Sequence, residues 1–324
     1  MIRDLAGKPV AEWRRYGPED GLSDPEYYAL DASHPGVVEH LRSVFRTLKK
    51  WGATVFKTDF LDWGLKDTAG VQRHDATRTS VESFRAVLQA IREEIGEEAY
   101  WLACIAPYAP CLGFADGMRV SNDTAISWNE GSQGNMLQET TASQYFNNLF
   151  WQNDPDSVVL RDYHTGLDAA EVESLALWSG ILGGAITTPD LPDRLPPKRL
   201  ALLRFLEPGE KATASFPFWE RERKLRVAVR EYTGPVAWAV LALNPAGEPV
   251  TERFDVAALV GEPEAFVWEW GPGRANALGR RRDLVVETVR HGSRLYYLSL
   301  DEGPPAADLT LGGARRRQAV ALDR

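Results

Sequence analysis

Between Tyr27 and about Phe205, short apolar runs alternate with helical segments, and this alternation most limits the folds open to the chain. Tyr27–Leu30 reads as a strand. Pro35 then opens a helix through Lys50, with Val37, Leu41, Val44, Phe45 and Leu48 on one face. Thr54–Phe60 is the next strand, and Ser80 is placed to cap a helix running to about Ile95. Tyr100–Ile105 is a strand followed by a proline-containing connection, and Ala115–Val120 precedes a helix over roughly Asn135–Leu149. Ser157–Arg161 and Ala185–Thr188 complete the strands, with helices from Asp168 to about Leu182 and from Pro196 to Leu206. Six strand-plus-connection units in series predict a parallel sheet whose chemistry sits in the loops after the strands. A closed barrel of this type takes eight units. The segment before Tyr27, with Gly7-Lys8-Pro9, Trp13 and Gly17-Pro18, reads as polar loop and supplies no more. The expectation is an open sheet, or a barrel lacking two units.

After Pro208-Gly209 the texture changes. Ala214–Phe218, Leu225–Arg230, Val236–Leu243, Glu264–Trp270, Leu284–Val289 and Leu295–Leu300 are strand candidates separated by turns such as Asn244-Pro245-Ala246-Gly247. Their spacing predicts an antiparallel sandwich over 208–324 behind an α/β domain over 1–207. Arg315-Arg316-Arg317 reads as a solvated tail.

Composition narrows function. A net charge of −9 argues against nucleic acid or an anionic membrane surface as partner. Two cysteines, Cys104 and Cys111, make no disulfide framework and no CxxC motif, and five scattered histidines form no metal-binding pattern. No cofactor is expected. The sequence has no apolar run of membrane-spanning length and its first residues are no signal peptide, so a soluble, cytoplasmic protein is expected. Eleven tryptophans exceed what packing requires and also suit a sugar-binding protein.

Two strings carry the chemistry. In Phe56-Lys57-Thr58-Asp59-Phe60, Lys57 and Asp59 share one face of a strand. The ammonium keeps the neighbouring carboxylate ionised, as a nucleophile requires, although a structural ion pair at a strand end explains the string equally. In Arg119-Val120-Ser121-Asn122-Asp123, Asp123 is placed to donate a proton and Arg119 to bind a hydroxyl or hold a carboxylate. Ser121-Asn122-Asp123-Thr124 is also an ordinary helix-capping string. Two carboxylates on separate strand ends are the equipment of glycosidic-bond cleavage. Asp31 either lines such a site or caps the next helix, and Asp190 is similarly open. Asp154 and Asp156 read as scaffolding, and the cysteines as small core residues.

Taken in order, Tyr28-Ala29-Leu30-Asp31-Ala32-Ser33-His34-Pro35, Phe56–Phe60, Ala115–Asp123, Trp151–Asp156 with Arg161, and Thr187–Leu191 resemble the α-galactosidase group of glycoside hydrolases, families 36 and 27. The resemblance implies a (β/α)₈ barrel followed by a β-sandwich, and metal-independent retaining hydrolysis of α-galactosides or related α-linked sugars. Asp59 would be the nucleophile and Asp123 the acid/base, with Lys57, Arg119, Cys104 and Asp31 against the sugar. The family's first two barrel strands, with their Trp and acidic pair, have no counterpart before Tyr27. Ala106-Pro107-Tyr108-Ala109-Pro110 stands where a glycine-rich string is usual. A chain lacking two barrel strands exposes sheet edges and is expected to be poorly active alone. The first rival is a non-catalytic carbohydrate-binding homologue. The second is a different open-sheet enzyme using Asp59, which no P-loop, GxGxxG or GxSxG string supports.

Overall fold

The computed structural model describes residues 1–14, 26–65, 70–129, 133–207, 213–232, 236–272, 274–303, 305, 309–311 and 313–314. Gly17-Pro18, the Pro208-Gly209 boundary and the Arg315–Arg317 tail lie outside the described residues. The chain divides into two compact units, Met1–Arg119 and Val120–Arg324.

In the first unit the N-terminal segment carries strands that polar texture does not predict. β1 (Arg3–Asp4) and β2 (Ala11–Arg14) are followed by β3 (Glu26–Tyr28). β2 and β3 pair antiparallel, so the first predicted strand is one arm of a two-stranded ribbon. Helix α1 (Pro35–Lys50) begins as expected at Pro35, with the His34 ring accepting from the Gly36 N–H at 3.0 Å. β4 (Val55–Thr58) follows, and β5 (Val71–Gln72) pairs with β1. Helix α2 (Ser80–Ile95) is capped by Thr79, one residue earlier than predicted, because Thr79 and Glu82 close a reciprocal capping box. β6 (Tyr100–Ala103), the short helix α3 (Tyr108–Cys111) and β7 (Gly117–Arg119) complete the unit.

β4 and β6 run parallel, with Lys57 opposite Leu102 and Thr58 opposite Ala103. β6 and β7 are also parallel, with Leu102 opposite Gly117. One face is covered by helices: Phe56 packs on Phe45 of α1 at 5.9 Å between ring centres. A buried guanidinium clamps the sheet from α2. Arg92 donates to the carbonyls of Phe114, Gly96 and Ala99 and to Asp116 Oδ2 at 2.8 Å, and that same oxygen accepts the Trp101 N–H. One side chain thus ties α2 to the segments that lead into β6 and into β7.

In the second unit β8 (Gln152–Asp154) lies earlier than the predicted strand at 157–161, and neither 157–161 nor 185–188 is a strand. The reason is chemical. Val158 N–H donates to Thr187 O, but Leu160 and Arg161 N–H both donate to the Asp190 carboxylate, which takes the bonds a neighbouring strand would receive. Helix α4 (Asn135–Ala142) stops short of Leu149. Gln144 and Asn147 beyond it donate their amides to Leu182 O, satisfying the C-terminus of α5 (Ala169–Leu182). Asp168 caps α5 with Glu171 in a second capping box, and α6 (Pro197–Phe205) follows.

The strands after residue 213 are β9 (Ala214–Ser215), β10 (Arg226–Glu231), β11 (Trp238–Leu243), β12 (Val250–Asp255), β13 (Ala265–Gly271), β14 (Arg274–Arg281), β15 (Asp283–Thr288), β16 (Ser293–Ser299) and the short pair β17 (Leu309–Thr310) and β18 (Gly313–Ala314). Six form one antiparallel sheet in the order β14-β13-β16-β11-β10-β9, and β12 pairs with β15. Of these, β12 and β14 escape the sequence reading. The large sheet is buried on both faces. Val227, Val229, Val240, Ala242, Tyr296 and Leu298 share a core with Phe254 and Val286 of the small sheet. Ala228, Ala239, Leu241, Leu295 and Tyr297 share another with Trp178 and Ile181 of α5. Alternate residues therefore enter different cores, which explains why these strands read as continuous apolar runs.

Among the described residues no helix is long and apolar enough to cross a membrane. Arg92→Leu should lower the unfolding free energy by about 3 kcal/mol, since it strands Asp116 and several carbonyls; partial exposure of Asp116 keeps the cost at the low end for a broken buried pair. Urea unfolding read by tryptophan fluorescence measures it, and an unchanged midpoint would remove Arg92 as the clamp.

Candidate active site

Three strand ends in the first unit gather the predicted residues. Asp59 follows β4, Cys104 follows β6 and Arg119 ends β7. The parallel register keeps them level: Cys104 N–H donates to Thr58 O at 2.8 Å, continuing the ladder one residue past the strand. Lys57 and Asp59 are exposed on one side, while Phe56 is buried on the other and Thr58 accepts from Trp101 Nε1 at 2.8 Å. The period-two reading of this string is what the backbone adopts.

Just beyond the strands, Phe60 and Ile105 both take left-handed backbone, at φ 54° and 42°. This is uncommon for non-glycine residues, and costly for a β-branched one. Asp62 N–H bonds to Ile105 O at 2.9 Å, linking the two turns. Asp59 Oδ1 accepts its neighbour's N–H, that of Phe60, at 2.8 Å. The chain therefore leaves the sheet abruptly, with Asp59 and Cys104 held at its rim. Nothing local in the sequence marks Ile105 for that conformation.

Cys104 is the centre of the group. Its sulfur is 3.9 Å from Arg119 Nη1, and both side chains are buried. Burial pushes the thiol up to about 12, reinforced by its hydrogen bond to Asp59 and by that carboxylate's charge; the charges of Arg119 and Lys57 act the other way. Cys104 is thus a neutral thiol lying between a carboxylate and a guanidinium, and is no nucleophile at neutral pH.

Asp31 is also in this unit. It is buried, Oδ1 accepts from Ser33 N–H and Oγ, and Oδ2 accepts from His74 N–H at 2.6 Å. Burial acts to raise its pKa, but the Ser33 hydroxyl, the two backbone donors and the charge of Arg73 hold it below the usual carboxylate range. Asp31 is a brace between two loops far apart in sequence, and the capping of α1 falls to His34.

In the second unit Asp123 is exposed on a loop pinned on both sides. Ser121 Oγ donates to Pro155 O, Asn122 N–H to Glu139, and Thr124 N–H to Asp156 Oδ2 at 2.6 Å. Asp156 N–H in turn donates to Asp154 Oδ1. Asp154 and Asp156 thus act as scaffolding for the loop that carries Asp123. Asp190 pairs with Arg161 at 2.8 Å with its carboxylate fully buried, so its part is structural as well. Glu139 is the contributor that sequence reading misses. Among the described residues no group of three or more His, Cys, Asp or Glu converges as a metal site would require.

Two outcomes follow from this geometry. Alkylation of Cys104 at pH 8 should run about 10²-fold or more slower in the folded protein than in denaturant, measured by mass-mapped iodoacetamide labelling; fast folded-state labelling would contradict the buried neutral thiol. Because the folded pKa of Asp31 is depressed, the stability it contributes is present above the ordinary carboxylate value of 3.8 and is lost as pH falls through the folded value. Asp31→Asn should therefore lower stability at pH 7 by about 2 kcal/mol and flatten the acid limb of the stability curve; an unaltered acid limb would show that Asp31 is not the brace.

No protein-family model matches the chain. Solved structures do. The chain is similar to a GH27 β-L-arabinopyranosidase from Geobacillus stearothermophilus, with 17% identity and a TM-score of 0.65 over 86% of this chain and 65% of that one. It is similar to α-galactosidase I from Mortierella vinacea, with 14% identity and a TM-score of 0.60 over 82% and 73%. An α-galactosidase from Thermus thermophilus in complex with p-nitrophenyl α-D-galactopyranoside is 27% identical, with a TM-score of 0.52 over 74% and 45%. The chain therefore spans less than two thirds of the length of the Geobacillus and Thermus enzymes. A parallel sheet with polar and charged groups at its strand ends, an antiparallel β domain later in the chain and these likenesses together give the chain an α-galactosidase-like fold of the glycoside hydrolase 27/36 group.

Proposed function

We propose that the chain is the glycosidase part of a retaining hydrolase acting on α-galactosides or related α-linked sugars. The observation that carries this reading is the strand-end group of Asp59, Cys104 and Arg119. There a carboxylate at the rim of a parallel sheet meets a neutral thiol and lies near two cations. The likeness to the Thermus α-galactosidase supports the choice of sugar.

In this reading the parallel strands belong to a (β/α)₈-type barrel within 1–207, and 208–324 forms the β-sandwich. Asp59 attacks the anomeric carbon, displacing the glycosidic oxygen as Asp123 protonates it. Asp123 then takes a proton from water, whose oxygen attacks the anomeric carbon and releases Asp59. The turn at Phe60 holds the Asp59 carboxylate in place, and the pinned loop limits the motion of Asp123. Lys57 and Arg119 bind sugar hydroxyls, and Cys104 forms the wall against the ring. Asp31, the further candidate against the sugar, is held in place by its bonds to Ser33 and His74.

A second reading, a carbohydrate-binding homologue without turnover, is favoured by one observation. Val55 is 66% exposed on the same side of β4 as Lys57 and Asp59. A glycosidase nucleophile works best where water is excluded.

Hydrolysis of aryl α-glycosides separates the two. The p-nitrophenyl α-galactoside should be cleaved, and Asp59→Ala should lose on the order of 10³-fold or more in kcat, with azide restoring turnover as a glycosyl azide. Asp123→Ala should retain cleavage of activated aryl substrates better than of galactosides with poor leaving groups. Folded protein that binds galactose but turns over none of the panel would replace the hydrolase by the second reading.

A further inference from the structure

The turn between β15 and β16 brings one side chain of the β domain onto the loop that carries Asp123. That turn is locked from inside. Asn244 is fully buried; its N–H donates to Gly292 O at 2.9 Å, and its amide to Val289 O at 2.9 Å and Glu248 O at 2.8 Å. His291 N–H donates to Ala246 O at 3.2 Å, and His291 takes left-handed backbone at φ 51°. Histidine is one of the few residues besides glycine that visits this region with some frequency. The turn therefore fixes where the imidazole leaves the backbone.

The ring is held by an edge and by a face. Nδ1 lies 2.7 Å from Glu171 Oε1, and a carboxylate only accepts, so Nδ1 carries the proton. Glu171 is itself fixed, because Oε2 accepts the Asp168 N–H in the capping box of α5. The His291 and Glu171 side chains are 12% and 4% exposed, so water competes little for this bond. Beside it, Arg290 Nη2 pairs with Asp168 Oδ2 at 2.9 Å, so two adjacent residues grip the N-terminal turn of α5. One face of the imidazole then stacks on Trp128, with ring centres 4.2 Å apart and planes 11° from parallel.

Trp128 follows Asp123 closely in the same loop. It is the apolar anchor of that loop, packing on the core around α5, whereas Ile126 is 49% exposed. The rest is held by polar bonds. Thr124 N–H donates to Asp156, and Ile126 O accepts from Gly166 N–H at 2.7 Å and Thr165 Oγ1 at 3.0 Å. His291 and this loop belong to the same compact unit. We infer that His291 is a positioning residue for Asp123: clamped by Glu171, it holds Trp128 in place and so sets where the Asp123 carboxyl stands. The inference rests on the reading of Asp123 as acid/base. A general acid misplaced by about 1 Å loses much of its effect, so a ring contact away from the chemistry carries weight there. The β domain thereby takes part in acid catalysis, through Trp128.

The test is His291→Asn in the full chain. Asparagine tolerates left-handed backbone but gives up the imidazole's stacking and its bond to Glu171. kcat/KM for an alkyl α-galactoside, whose leaving oxygen needs a proton, should fall about tenfold, while that for p-nitrophenyl α-galactoside stays within about twofold. Trp128→Ala should reproduce this split and Trp128→Phe should lose little. The His291→Asn/Trp128→Ala pair should be no worse than either change alone. Hydrogen exchange of the peptide over 121–129 should quicken about tenfold in His291→Asn, with the strands of the large sheet unchanged. Equal losses on the two substrates, additive losses in the pair, or unchanged exchange over 121–129 would each overturn the inference. A parent chain that cleaves neither substrate would remove the acid/base reading and this role with it, whereas an active parent without the split removes this role alone.

Discussion

The parallel pairing of three short strands is the constraint on which the candidate site depends. With Lys57 opposite Leu102 and Leu102 opposite Gly117, the residues that follow or end the strands reach the same rim. A one-residue slip of β4 would turn Lys57 and Asp59 toward Phe45 and the helices, and bring Phe56 to the open side. The pairing of Phe56 with a helix ring therefore also fixes the side on which Lys57 and Asp59 are presented. Arg92 acts on the same constraint from the other end, because the carbonyls it binds, those of Ala99 and Phe114, lie just before β6 and β7. The left-handed turns at Phe60 and Ile105 then store local strain where the chain must leave the sheet sharply.

The second unit is organised by double burial. Its six-stranded sheet sends alternate side chains into two cores, one closed by the small sheet and one by α5. A helix serving such a sheet is apolar on most of its surface, and α5 is buried from Val172 to Leu182 apart from Glu173. The sheet also buries Arg230, which donates to Gly180 O and to Leu311 O, so a charged group ties β10 to α5 where an apolar side chain would serve packing alone.

Much of this was legible in the sequence, and the failures share a cause. Helices α1, α2 and α5 announce themselves through their N-terminal residues and spacing, and α6 through its leading prolines, all local properties. β6 and β7 are visible as apolar runs between them. The run at Ser157–Arg161 looks equally apolar, but the N–H groups of Leu160 and Arg161 are taken by Asp190 about thirty residues on, a partner no local pattern reveals. Tyr27–Leu30 fails as a parallel strand for a similar reason: its partner is the Ala11–Arg14 segment. β12 and β14 were missed because Thr251, Arg253, Arg280 and Arg281 interrupt their apolar signal. At the site, the shared face of Lys57 and Asp59 follows from period two, whereas the meeting of Cys104 with Asp59 and Arg119 follows only from the register. Asp31 is recognisable as a candidate from its place after a strand, but its bond to His74 spans a sequence distance no motif covers.

The central claim is that Asp59 forms a covalent bond with the sugar. The most direct measurement is peptide mass mapping after incubation with an activated fluorinated α-galactoside, whose glycosyl-enzyme forms faster than it hydrolyses. The account predicts a single glycosyl adduct on the peptide containing Asp59, absent from Asp59→Asn. An adduct on a different carboxylate, or hydrolysis of the parent substrate with inversion at the anomeric carbon, would contradict it.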